Sequence, residues 1–182
     1  MNDAVGFLEL NSIARGVEAT DILLKTADVS LVFAKASCPG KYYILFTGEV
    51  AAVRSSMEAG VAKGGENVVD TCVIPNVHPQ VVKAINMTAY PEVIEAVGVM
   101  EFYSVTASVY SADAAVKAAE VDLVDVRLGT GIGGKSFVVL TGDVAAVRSA
   151  VDAGIHTPNA EGMLISHVVI PHPHPELIQS LY

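Results

Sequence analysis

Apolar residues in the first half of the chain switch between a period of two and a helical period. Residues 3–10 alternate loosely around Val5, Phe7 and Leu10, which predicts a strand. Ser12 offers an N-cap for a following helix. Ile13, Val17, Ile22, Leu24 and Ala27 give that helix a broad apolar side, with Arg15, Glu18 and Asp21 elsewhere. The run VSLVFAKA at 29–36 predicts a second strand, Cys38-Pro39-Gly40 breaks it, and KYYILFTG at 41–48 predicts a third. Glu49 opens a second helix near its positive end. Val50, Val53, Met57 and Val61 form its stripe, and Gly64-Gly65 ends it. NVVDTCVI at 67–74 predicts a fourth strand stopped by Pro75, and His78 to Asn86 a short helix. This β-α-β-β-α-β order with a final helix is the split βαβ, ferredoxin-like pattern.

The pattern then begins again. TGEVAAVRSSMEAG at 47–60 returns as TGDVAAVRSAVDAG at 141–154, with ten of fourteen positions identical at an offset of 94. AVGFLEL at 4–10 returns as AVGVMEF at 96–102, and CVIPNVHP at 72–79 as VVIPHPHP at 168–175. Second-copy strands are expected near 96–102, 121–128, 135–141 and 164–170, with helices near 104–119 and 143–155. A period of about ninety residues exceeds any solenoid unit and suits a small domain. The chain therefore reads as α+β, two tandem ferredoxin-like domains at 1–90 and 91–182. The linker, about 86–95 with Pro91 as its punctuation, is too short to let the copies drift far apart. Domains of this size have little core each, so packing against further copies is expected.

Composition narrows the function. Apolar residues make up 52% and charged residues only 17%, which favours surface buried in oligomer contacts. A net charge of −9 without a basic stripe argues against nucleic-acid partners and against an anionic membrane surface. No apolar run approaches a membrane span, and MNDAVGFLEL does not read as a signal peptide. Two cysteines, Cys38 and Cys72, make no disulfide framework, so the expected compartment is a reducing cytoplasm.

Several residues invite chemistry. Cys38 sits where the repeat changes register: the offset is 92 from Lys25 to Lys117 and 94 from Gly40 to Gly134. Pro39 and Gly40 fix a tight turn beside the thiol. By itself Cys38 reads as a loop thiol, since one cysteine cannot hold a four-iron cluster. Cys72, with Val168 as its counterpart, reads as a buried structural cysteine. GTGIGGKS at 129–136 satisfies GxxxxGK[ST], but the β-rich FVVLTG follows where a phosphate-binding helix should start. The first copy also has Lys35 for the leading glycine and Tyr42 for the hydroxyl residue. His167, His172 and His174, echoed by His78, suggest a metal, but the intervening prolines hold that stretch extended, which favours an edge role. No catalytic triad or carboxylate pair stands out.

These sequences in this order resemble the bacterial microcompartment (BMC) shell domain. The likeness is carried by AVGFLEL and AVGVMEF, by the helix ends LLKTADV and AVKAAEV, by the two TG-E/D-VAAVRS junctions, and by VIPNVHP and VIPHPHP. It covers nearly the whole chain, in the unpermuted order. It implies a structural shell protein rather than an enzyme: a homotrimer whose six domains form a pseudohexameric tile among other shell proteins. Ser37-Cys38-Pro39-Gly40-Lys41 and Gly131-Ile132-Gly133-Gly134-Lys135 resemble the PduT-type tandem shell proteins. In that type the first-copy cysteine, here Cys38, lies at the central pore, where one per chain holds a single [4Fe–4S] cluster per trimer. The resemblance implies a pore lined by Ser37, Cys38, Pro39, Gly40, Gly131, Ile132, Gly133 and Gly134. The cluster would carry electrons across the shell or deliver clusters, with an encapsulated redox enzyme as a further partner. Lys25 and Lys117 match the family's tile-edge lysine. Asn76 and His172 stand where a P-R-P-H arginine is common, so at this edge the chain departs from the family's pattern. Two alternatives stay open: a clusterless tile passing a small metabolite, and a ferredoxin-like regulatory trimer binding nucleotide through GTGIGGKS.

Overall fold

The computed structural model describes residues 4–91 and 93–180. Asp3, with which the first expected strand begins, and Glu92 of the linker lie outside them. The chain forms two compact units, Met1–Val77 and His78–Tyr182.

The first unit runs β1 (Ala4–Leu10), α1 (Ile13–Thr26), β2 (Val29–Ser37), β3 (Lys41–Gly48), α2 (Val50–Gly64), a 3-10 turn (Gly65–Asn67) and β4 (Val68–Ile74). Its antiparallel sheet has the order β2-β3-β1-β4. Alternate residues of β1 and β3 (Leu8, Leu10, Tyr42, Ile44, Phe46) meet Ala19 and Leu23 of α1 and Val53 and Met57 of α2. That period-two against period-3.6 match is what the sequence pattern predicted. The Ser56 hydroxyl donates to the Leu23 carbonyl at 2.9 Å, tying α2 to α1.

The second unit opens with α3 (Pro79–Ile85) and continues β5 (Ala96–Phe102), α4 (Val105–Ala118), β6 (Asp122–Leu128), β7 (Ser136–Gly142), α5 (Val144–Ile155), a 3-10 turn (Pro158–Ala160), β8 (Leu164–Ile170) and α6 (Pro175–Gln179). Its sheet order, β6-β7-β5-β8, reproduces the first. The same register irregularity recurs in β2 between Leu31 and Phe33 and in β6 between Leu123 and Asp125.

Packing draws one boundary elsewhere than the repeat does, and one expected helix face differs from what is found. The repeat divides the sequence at 90/91, whereas the compact units divide at 77/78, because α3 packs along β6. Residues 78–90 belong to the first copy by sequence and to the second unit by packing. In α1, Ser12 caps as expected, accepting from the Arg15 N–H at 3.4 Å. The buried face, however, is Gly16, Ala19, Thr20 and Leu23, while Ile13, Val17 and Leu24 of the expected apolar side are exposed.

The reason is a close approach at Gly16. A Cβ there would stand 2.3 Å from Cδ1 of Tyr42. In the second unit the equivalent pair is Ser108 and Ser136, both fully buried. One copy pairs nothing with a large ring, and the other pairs two small side chains. Gly16→Ala should therefore lower stability by roughly 1–3 kcal/mol through overpacking, read as a lower urea midpoint with an unchanged slope.

Candidate functional site

Ser37 ends β2 opposite Lys41, the first residue of β3. The Gly40 N–H donates to the Ser37 carbonyl at 2.9 Å, closing a turn that holds Cys38 and Pro39. Gly40 has φ +87°, a conformation glycine adopts without penalty. The Cys38–Pro39 peptide is cis. Cys38 is half-buried and its thiol is not in a disulfide; Cys72 is buried in β4.

A charged pair missed by the sequence reading lies under this turn. The Lys41 ammonium donates to Glu9 Oε1 at 2.5 Å, and Glu9 on β1 is buried. Burial pushes the Glu9 carboxyl above its ordinary 4.5, the Lys41 hydrogen bond and charge offset part of this, and Asp70 adds to it. Burial likewise pushes the Tyr43 phenol up to about 12, with Ser37 offsetting part. The second copy repeats the pair as Lys135 and Glu101 at 3.2 Å, but more openly. A glutamate and a lysine recurring at matched places in apolar strands were the available signal.

The second unit's loop, 129–135, holds Gly131, Ile132, Gly133 and Gly134. Gly129, Gly131, Gly133 and Gly134 have φ of +65°, +80°, +68° and +83°. The Gly129 N–H donates to the Lys135 carbonyl at 3.0 Å, so the loop closes on itself. Strand β7 starts at Ser136, and no helix offers N–H groups to a phosphate there.

The remaining sequence candidates sit at element ends. Lys25 in the last turn of α1 pairs with Asp21 at 2.6 Å, and Lys117 in the last turn of α4 with Asp113 at 2.5 Å. His78 and His174 are helix caps: Nδ1 of each accepts from the backbone N–H of Gln80 at 3.4 Å and of Glu176 at 3.2 Å. His167 on β8 and His172 beyond it are exposed. Among the described residues, no three His, Cys, Asp or Glu side chains converge as a metal site within one chain.

With that geometry in hand, comparisons with known proteins are specific. The BMC domain model matches twice, at residues 4–77 and 96–173. The chain is 42% identical over 174 residues to the bacterial microcompartment shell protein PduT of Citrobacter freundii, covering 96% of this chain and 95% of that one. It is 42% identical over 85 residues to the shell protein EutM of Salmonella typhimurium, 46% of this chain and 85% of the relative. The crystal structure of a microcompartment protein from Desulfitobacterium hafniense DCB superposes with a TM-score of 0.92 at 50% identity, covering 97% of this chain and 98% of that one.

The Glu9 geometry carries a signed prediction. A raised native pKa means the fold binds the proton more tightly than the unfolded chain. That stabilisation is present below 4.5 and fades as pH rises through the native value. Glu9→Gln should gain on the wild type between about pH 4 and about pH 7 in paired urea unfolding. A difference that is flat, or that shrinks with pH, would contradict the burial argument.

Proposed function

The chain belongs to the BMC domain family and carries the domain twice; from that premise we propose a homotrimeric, pseudohexameric tile whose central pore binds a [4Fe–4S] cluster. The coarser part is plain: this is a shell protein of a bacterial microcompartment. The observation that supports ring closure is a difference between equivalent surfaces.

In the second unit α3 lies along β6 and against α4. Val81 of α3 and Leu123 of β6 are 0% and 1% exposed. The counterparts of these residues are Leu177 on α6 and Leu31 on β2, which are 37% and 41% exposed. Val109 of α4 is fully buried, while its counterpart Val17 on α1 is 54% exposed. A tail helix without a seat and a seat without a tail helix occupy one chain. Setting α6 of each chain on β2 and α1 of the next covers both by repeating a contact the chain already makes. Repetition of one head-to-tail contact closes a ring when the rotation fits, and three chains supply six domains.

Cys38 fits the proposed cofactor as a donor. It is a soft ligand, half-exposed, free of a disulfide, and set in a turn closed by the Gly40–Ser37 backbone hydrogen bond. One thiolate from each of three chains would hold three irons and leave the fourth open to a small ligand. Such a cluster supplies one-electron chemistry. Pore lining by Ser37 to Gly40 and Gly131 to Gly134, and tile-edge contacts through Lys25 and Lys117, belong to the same reading. For Lys25 the exposed ion pair with Asp21 leaves the ammonium accessible to a neighbouring tile.

Anaerobically prepared protein should have a mass three times 19.0 kDa in solution and contain about four irons per three Cys38. Cys38→Ser should lose the iron and keep the trimer. A trimer that stays colourless and iron-free after reconstitution would end the cluster reading and leave the clusterless tile in its place.

A further inference from the structure

Within the second unit, α3 is held on β6 by a two-way hydrogen-bonded side chain. Gln80 Nε2 donates to Asp122 Oδ1 at 2.9 Å, and Gln80 Oε1 accepts from the Leu123 N–H at 2.8 Å. The His78 N–H also donates to Asp113 Oδ1 at 2.8 Å. The repeat identifies the matching residues on the uncovered surfaces. His174 and Glu176 on α6 match His78 and Gln80; Asp21, Ser30 and Leu31 match Asp113, Asp122 and Leu123. The local frames agree as well. Both tail helices have a histidine cap and a proline at the first position, and Leu31 and Leu123 occupy equivalent ladder positions opposite Phe46 and Leu140.

The aspartate anchor is common to both surfaces and discriminates nothing. The second position does differ. Where α3 brings an amide to a carboxylate, the matching residues are a carboxylate on α6, Glu176, and a hydroxyl on β2, Ser30. Each pair is complementary: the amide donates to Asp122, while the Ser30 hydroxyl and the Leu31 N–H can both donate to Glu176. The crossed pair, Glu176 against Asp122, sets two carboxylates face to face.

We propose that Gln80–Asp122 and Glu176–Ser30 are two distinct docking codes, and that the second directs α6 onto β2 of another copy of this chain and away from β6. The partner is a second copy because the seat on β2 and α1 is the repeat-equivalent of one this chain fills with its own α3. Discrimination comes from the repulsive element as much as from the attractive one. Its consequence is a fixed alternation of first and second domains around the ring, without α6 displacing α3. The inference rests on the ring reading given above and goes beyond it by naming which residues set the order.

The test uses the full chain and its dissociation on dilution, followed by native mass spectrometry. Both positions are exposed in the chain, so circular dichroism of each variant should match the wild type. Ser30→Asp places a carboxylate against Glu176 and should weaken each joint at least tenfold. Glu176→Gln alone should keep the trimer, because an amide can donate to Ser30 and accept from Leu31. The double variant Ser30→Asp/Glu176→Gln recreates the Gln–Asp pair and should recover the wild-type dissociation profile. An undisturbed Ser30→Asp trimer, or a double variant as weak as Ser30→Asp, would overturn the coding. A wild-type chain that never forms a trimer would instead defeat the ring reading itself.

Discussion

The constraint from which the rest follows is that a four-stranded sheet with two helices on one face cannot cover its own edge. In each copy of the repeat one outer strand and one helix carry leucine and valine side chains that need a tail helix to cover them. In the second unit the tail of the first copy covers them, with α3 seated on β6. In the first unit β2 and α1 stay open, and α6 at the other end of the chain has no buried residue. Burying a leucine or valine side chain is worth roughly 1.5–3 kcal/mol. Several such residues per joint therefore supply a substantial drive toward assembly, before the entropy of association is subtracted.

Duplication allowed the two halves to diverge inside this common frame. Gly16 with Tyr42 answers Ser108 with Ser136, so one copy fills this helix–strand contact with a ring on a bare backbone and the other with two small side chains. The buried Glu9–Lys41 pair answers the more open Glu101–Lys135 pair. The β2–β3 turn carries a thiol, and the longer β6–β7 loop carries glycines. A chain of two identical halves would repeat every loop six times around a ring; two unlike halves repeat each loop three times. Three is the number of thiolates that leaves one iron of a four-iron cluster exchangeable.

Much of this was legible in the sequence, and the failures have physical causes. Strands and helices followed from period, and the offset change beside Cys38 marked a loop where the copies part. The repeat and the packing draw different boundaries, because a repeat records which residues correspond, whereas packing records which residues touch; for 78–90 the two disagree. The face of α1 was misread because large apolar residues normally mark the core side. Here Gly16 lets the helix sit tightly on Tyr42, and Ile13, Val17 and Leu24 are left for another surface. The Glu9–Lys41 pair escaped notice because an acid in a strand reads as facing solvent until the neighbouring strand is placed beside it.

One consequence of the two tail helices concerns concentration. The seat on β6 is filled by a segment of the same chain, so its occupancy is independent of dilution, whereas in the proposed ring the seat on β2 is filled by mass action. A ring built this way has joints of two kinds in alternation. When scarce, it comes apart only at every second joint, into intact two-domain chains with one edge already sealed. Each released piece then carries one open seat, on β2 and α1, and one unseated helix, α6, and only a further copy offers the complement of each.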